Sequence, residues 1–306
     1  MSHHVLHLQT PGAALSCAQG FLFCRYSDGQ DKKLPLADLR ALIIATYQVT
    51  FSNTCLARLL ENNCIILHCN DSYQPVGWSA GLDRVVHTKA FFQQITRYID
   101  FEQDLWQKLL KCKIQNQLGA LKQFGADCSA ITALYQKQCV YESQVAKKYW
   151  KSYFQVLRRP LQREHRHAKS FENIALNYGY AVISSLIHRA VLIHGLLPEL
   201  GIQHKSKPGS RPLIYDLLEP FRAFIDLYLY KFSQANRLDY IGHDLRAWSK
   251  YLSECLQNYR LPARGLSYKL LDFVDVYVMD IARAFEYLDC SQINLPNIAE
   301  QCLAKR

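Results

Sequence analysis

The spacing of hydrophobic positions changes partway along the chain. Up to about residue 78 it comes in short, β-rich runs. "GFLFCRY" (20–26) and "CIILHCN" (64–70) are apolar stretches bounded by turn-forming residues, which predicts strands. "ALIIATYQVTF" (41–51) is rich in β-branched residues and predicts one or two more. "SNTCLARLLENN" (52–63) has helical spacing instead. Leu56, Leu59 and Leu60 share a face, Ser52 can cap the start, and Asn62 and Asn63 end it. "DGQDKKLP" (28–35) reads as a turn. The polar stretch 73–90, with Pro75, Gly77 and Gly81, predicts a domain boundary.

From Ala90 onward the apolar positions repeat with helical period. Residues 91–125 form one long periodic segment ending at a glycine, and residues 129–159 form another that stops at Pro160. The most apolar stretch, "YAVISSLIHRAVLIHGLL" (180–197), is interrupted by His188, Arg189 and His194, which predicts a buried core helix and no membrane span. The pattern as a whole predicts the α+β class. A small N-terminal β-rich domain (1–80) and a linker (81–90) precede a larger, all-helical domain (91–306).

Composition fits this. The 306 residues suffice for two domains, 49% of them are hydrophobic, and the charged share is ordinary, so global disorder is excluded. The net charge of +10 is uneven: +1 up to residue 90 and +9 after it. A basic later part points to a polyanionic partner, nucleic acid above all, with a plain solvated basic face as the alternative. Eleven cysteines, an odd number with no C-x-x-C pair, lie among apolar neighbours and read as reduced thiols of an intracellular protein. Cys64, His68 and Cys69 fit alternation along a buried strand better than a metal cluster. "MSHHVLHLQT" lacks the basic start and long apolar run of a signal peptide.

Two regions concentrate candidate chemistry. In "YESQVAKKYWKSYF" helical projection puts Val145, Ala146, Tyr149 and Tyr153 on the face of Glu142, and turns Lys147, Lys148 and Lys151 to other sides. Glu142 therefore ends an apolar stripe and needs a partner, an arginine or a metal ion. The second region is "LPELGIQHKSKPGSRPLIYDLLEPFRAFID". Asp216 and Glu219 are one helical turn apart. Alone, they fit a capping box with Asp216 at the N-cap and Glu219 at N3, and Pro220 is tolerated in such a first turn. Together with His204 they also make a donor set suited to Mg²⁺ or Mn²⁺. Lys205, Lys207 and Arg211 follow His204 in a Gly/Pro loop that could hold a phosphodiester. Residues 147–169 carry eight Lys/Arg, including Lys147, Lys148, Arg158 and Arg159, against one acid, Glu164, with aromatics interleaved. That suits a DNA backbone, unless the aromatics are core. Arg222 reads as a brace that pairs with Asp226 or a helix end.

Several blocks, in order, resemble the metal-dependent adaptation integrase of CRISPR systems. "LADLRALIIA" and "CIILHCNDSYQPVG" are similar to strands of that family's N-terminal domain. "CKIQNQ" (112–117), "NYGYAVI" (177–183), "LPELGIQH" and "YDLLEPFRAFID" resemble blocks of its helical domain. The resemblance implies three metal ligands, Glu142, His204 and Glu219, with Asp216 supporting the metal or orienting a ligand. Ser143 stands where the family usually has glycine. It also implies Mg²⁺ or Mn²⁺ as cofactor, and insertion of short duplex DNA into a repeat array by attack of a 3′-hydroxyl. It further implies a homodimer made through the N-terminal domain, a small partner subunit completing a heterohexamer, and a prokaryotic cytoplasmic setting without membrane association. The alternatives are a mobile-element integrase with the same centre, and a non-catalytic nucleic-acid scaffold.

Overall fold

The computed structural model describes residues 4–26, 29, 31–70, 75–81, 88–136, 142–165, 168–205, 210–236 and 244–298. The N-terminal strands are β1 (His4–Leu8), β2 (Ala13–Ala18), β3 (Phe21–Arg25), β4 (Lys32–Pro35), β5 (Leu39–Ile44), β6 (Val49–Phe51), β7 (Ile65–Cys69) and β8 (Pro75–Ser79). They make two four-stranded sheets. One has the order β1-β5-β7-β8, parallel except for the antiparallel edge strand β8. The other has the order β4-β3-β2-β6, with β6 parallel to β2 and the remaining pairs antiparallel.

The apolar run 41–44 of β5 has a physical reason: both faces of the strand are buried there. Leu42 and Ile44 join Leu6, Leu8, Leu15 and Leu22 in a core of the strand-rich part. Ala41 and Ile43, on the opposite face, belong to the core shared with the helices. Helix α1 (Asn53–Glu61) closes the first core with Leu59, and Ser52 caps it as expected, accepting from Cys55 N–H at 3.2 Å. The stretch 73–90 is not all connection, because Pro75–Ser79 is the edge strand β8. Residues 82–87 of the expected linker lie outside the described residues.

The helices that follow are α2 (Thr88–Thr96), α3 (Ile99–Gln123), α4 (Ser129–Tyr135), α5 (Glu142–Val156), α6 (Phe171–Ile193), α7 (Pro212–Leu218), α8 (Arg222–Asn236), α9 (Leu245–Asn258) and α10 (Leu270–Tyr287). Two long periodic segments of the sequence are each two helices. Residues 91–125 divide at Arg97, whose φ of 60° ends α2, and Tyr98 precedes α3. Residues 129–159 hold α4 and α5. The helical part also contains a hairpin, β9 (Arg260–Ala263) with β10 (Leu266–Lys269), turned at Arg264 and Gly265, both at positive φ.

Helix α6 is buried along most of its length and packs on β5, β7, α7, α8 and α10, as its apolar sequence requires. Among the described residues no helix is long and apolar enough to cross a membrane. The nine described cysteines are all free. Cys64 is fully enclosed and burial pushes its thiol up to about 12. His68 reaches across to Ser79 Oγ at 3.0 Å. This is the strand role expected for "CIILHC".

Candidate active site

The segment from Gly201 to Arg222 positions two of the candidate ligands. Helix α7 begins at Pro212, so Asp216 lies inside it and is not an N-cap. The capping-box reading fails because the helix starts five residues earlier than that reading required, with Arg211 at its N-cap. Asp216 is fully buried and organises the preceding loop instead. Its Oδ2 accepts from the N–H groups of Ile202 (2.7 Å) and Gln203 (3.2 Å), and its Oδ1 accepts from His204 N–H (3.2 Å). Oδ1 is also 2.6 Å from His204 Nδ1. Asp216 therefore fixes both the loop and the imidazole, leaving Nε2 as the ring nitrogen to meet a ligand. The hydrogen bond to Asp216 is the largest influence on His204 and raises its pKa, with Glu219 and Glu142 adding to the rise through space.

The loop is held from behind as well. Gln94 of α2 bonds the carbonyls of Leu197 (2.9 Å) and Leu200 (3.0 Å) and accepts from Leu197 N–H (2.8 Å). Arg97 donates to Gly201 O at 2.7 Å. Gly201 itself has no room for a side chain. A Cβ there would lie 2.4 Å from His204 O and 2.9 Å from Asp216 Oδ2.

Pro220 has no N–H to continue α7, so residues Glu219–Phe221 tighten into a 3₁₀ turn before α8. The turn carries Glu219 into the interior. Arg222 Nε donates to Glu219 Oε1 at 2.9 Å, so the arginine braces Glu219 and not Asp226. Asp226 instead accepts from the hydroxyls of Tyr149 (2.6 Å) and Tyr180. Tyr153 Oη bonds the Asp226 carbonyl at 3.0 Å. Tyr149 and Tyr153 are the stripe below Glu142, so these contacts pin α5 to α8 and set where Glu142 projects.

Glu142 and Glu219 converge on Lys113 of α3. Lys113 Nζ is 2.6 Å from Glu142 Oε1 and 2.6 Å from Glu219 Oε2. The first contact is a hydrogen bond. The second sets the same ammonium against the buried Oε2 of Glu219. Burial works to raise the Glu219 pKa, but Arg222 and Lys113 outweigh it and bring the carboxyl down to about 2. In this structure the charged group beside Glu142 is a lysine, where the sequence pointed to an arginine or a metal ion. Nothing in the composition of α3 announces Lys113. The available signal was its place in "CKIQNQ", on the apolar side of the helix one turn beyond Leu109 and Leu110. Asn116, also in that block, bonds the carbonyls of Pro220 (2.9 Å) and Pro296 (2.8 Å), locking the turn that carries Glu219.

Glu142, Glu219, His204 and Asp216 therefore belong to one neighbourhood, in two pairs: the glutamates on Lys113, and the histidine on the aspartate. Among the described residues no three His, Cys, Asp or Glu side chains are drawn together closely enough to hold a metal ion as they stand. The donor set nevertheless fits a hard divalent ion. Two carboxylate oxygens, one of them buried, face one cationic atom, and an imidazole held by Asp216 lies near enough to feel both glutamates.

The basic candidates separate. Lys147, Lys148, Arg158 and Lys205 are exposed. Arg159 is half-buried against Glu172 at 3.0 Å, which makes it a structural residue. The Arg211 guanidinium lies 4.6 Å over the Trp78 ring of β8. Lys207 lies outside the described residues. A cleft of about 820 Å³ opens beside the site between β7–β8 and α6–α7. It is lined by Arg163, His165, Tyr180, Arg211, Arg222 and Trp78 among others, with no acid among the described residues of its wall.

The description "CRISPR associated protein Cas1" belongs to the family model that matches residues 6–245. A "CRISPR-associated endonuclease Cas1" from Neisseria meningitidis serogroup C (strain 8013) is 24% identical over 279 residues, covering 89% of each chain. A casposase bound to an integration product superposes with a TM-score of 0.78 at 17% identity, covering 98% of this chain and 94% of that one. A Cas6-RT-Cas1–Cas2 complex contains a chain that superposes with a TM-score of 0.71 at 16% identity, covering 96% of this chain and 36% of that one. With the family model matching well over half of its length, the chain belongs to the Cas1 family of CRISPR-associated proteins.

Proposed function

We propose that this protein is a divalent-metal-dependent DNA integrase and endonuclease of CRISPR adaptation, joining short duplex DNA to the repeat array by transesterification. The observation that carries the reading is the meeting of Glu142 and Glu219, far apart in sequence, on a single cationic atom beside an oriented histidine. Glu142, Glu219 and His204 would hold Mg²⁺ or Mn²⁺, which when bound polarises the scissile phosphodiester and stabilises charge on its oxygens.

The chain's own residues do the rest. Asp216 keeps the His204 ring in place through Nδ1. Arg222 keeps Glu219 ionised and fixes its orientation. The cleft with Arg163 and Arg211 gives a DNA strand a route to the centre, and Lys147, Lys148, Arg158 and Lys205 add backbone contacts outside it. DNA binding is supported by the uneven +10 charge. A homodimer through the N-terminal sheets and a small Cas2-like subunit completing a heterohexamer belong to the same reading, and the Cas2 named in the similar complex supports such a partner.

The test uses supercoiled or branched DNA with Mn²⁺. Glu142→Ala, His204→Ala and Glu219→Ala are each expected to lower cutting and joining by about a hundredfold or more, while duplex binding in a gel shift persists. Full activity in all three would remove the site assignment.

A further inference from the structure

Lys113 is a long cationic side chain in an apolar setting. It lies on α3 among buried Leu109, Leu110, Ile114 and Gln117 and is itself only 7% exposed. A buried ammonium is costly unless opposite charge surrounds it, and here one oxygen from each of two glutamates does so at 2.6 Å. These glutamates are the two assigned above to the divalent ion. An ammonium and a divalent cation cannot occupy the same few ångströms between them, because like charges repel strongly in a buried site.

We propose that Lys113 is the built-in countercharge of this site. In the metal-free protein its ammonium holds Glu142 and Glu219 together, and a divalent ion binds by displacing it from between them. The inference rests on the reading of Glu142 and Glu219 as metal ligands, and goes beyond it by giving the metal a competitor within the chain.

Three features make Lys113 the exchangeable cation and Arg222 the fixed one. Arg222 holds Glu219 Oε1 through Nε at 2.9 Å, so Oε2 is the oxygen left for either a lysine or a metal. Lys113 touches both glutamates through the single atom Nζ at the end of a flexible stem, so one side-chain movement withdraws it from both. Glu142 keeps 39% of its side chain exposed, so a hydrated ion can approach the pair from the Glu142 side. Metal affinity is then the outcome of a competition, and the two carboxylates stay neutralised when metal is scarce.

The test measures Mn²⁺ binding to the full chain by calorimetry, and thermal unfolding in EDTA and in saturating Mn²⁺. It compares the wild type with Lys113→Met, Lys113→Gln and Glu142→Gln. Lys113→Met is expected to bind Mn²⁺ on the order of tenfold more tightly, since the competing charge is gone. It is also expected to melt below the wild type in EDTA, with that gap closing in Mn²⁺. A packing role alone would lower melting in both conditions and would not tighten binding. Unchanged or weaker Mn²⁺ binding in a folded Lys113→Met protein overturns the proposal. If the Met variant does not fold, Lys113→Gln, which keeps a hydrogen-bond donor without the charge, is read by the same criteria. Failure of both to fold even in saturating Mn²⁺ also overturns it, because the ion then does not replace the ammonium. If the wild type shows no Mn²⁺ binding that Glu142→Gln weakens, the metal-ligand reading fails first and the proposal falls with it.

Discussion

Glu219 and Asp226 are acids two helical turns apart, both almost wholly removed from water, yet their neighbours drive them in opposite directions. Glu219 touches two cations, Lys113 and Arg222, and its pKa falls to about 2. Asp226 touches the neutral hydroxyls of Tyr149 and Tyr180, so burial dominates and lifts it from 3.8 to about 6. The sign for stability follows from linkage. Between about pH 4 and 6 the native state binds the Asp226 proton more tightly than the unfolded chain does. The contribution of this group is therefore full below about 4 and is lost as pH rises through 6. Urea unfolding at pH 4, 5, 6 and 7 is expected to show Asp226→Asn gaining stability relative to the wild type across that window, with the difference constant above it. A difference that does not vary with pH would mean that the carboxyl titrates as it would in water. Glu219 behaves in the reverse sense, adding stability above its unfolded value and losing it only as pH falls toward 2.

At the scale of elements, the site depends on what happens between helices. The loop before α7 is wrapped around Asp216, and the proline turn after α7 delivers Glu219 to Lys113. Gly201 is the tightest point of the wrap. A methyl group there meets backbone, His204 O, and the buried Asp216 carboxylate, neither of which is a flexible chain end. Gly201→Ala is expected to cost about 1–3 kcal/mol of stability. It is also expected to lower integration more than it lowers DNA binding, because the shift falls on His204. Thermal unfolding and paired activity and gel-shift assays check this, and wild-type behaviour in both would show that the loop yields without consequence. Asn116 plays the matching part for the proline turn, bonding Pro220 O and Pro296 O and accepting from Ile298 N–H at 3.0 Å.

At the scale of the whole molecule, sheet β1-β5-β7-β8 is shared between two cores, and the cleft opens along its β7–β8 side. The positive excess of the later part lies partly in this cleft and partly on exposed α5 and its end. Arg158 and Arg159 are adjacent in sequence but differ in role. Arg158→Ala is expected to weaken duplex binding and reduce the slope of log K against log salt by about one, with little change in melting. Arg159→Ala leaves buried Glu172 without its cation and is expected to lower the melting temperature instead. Equal effects of the two on the salt slope would contradict this division.

Much of this was legible in the residues. The β-then-helix order, the Ser52 cap, a buried helix within 180–197 (the helix itself starts earlier, at Phe171) and the inward stripe of Glu142, Tyr149 and Tyr153 all follow from local spacing, because burial on one face imposes a period that the chain itself records. Glu142, His204, Asp216 and Glu219 were singled out as candidates by their residue types and, as a set, by the resemblance of their blocks to the family. What local spacing could not carry was partnership. Lys113 between the glutamates, Arg222 on Glu219 in place of Asp226, and Asp216 inside a helix in place of at its cap are all decided by which helices cross. A buried charge advertises in sequence only that it needs an opposite charge. Which one it finds depends on contacts between residues tens of positions apart, and those exist only once the chain has packed.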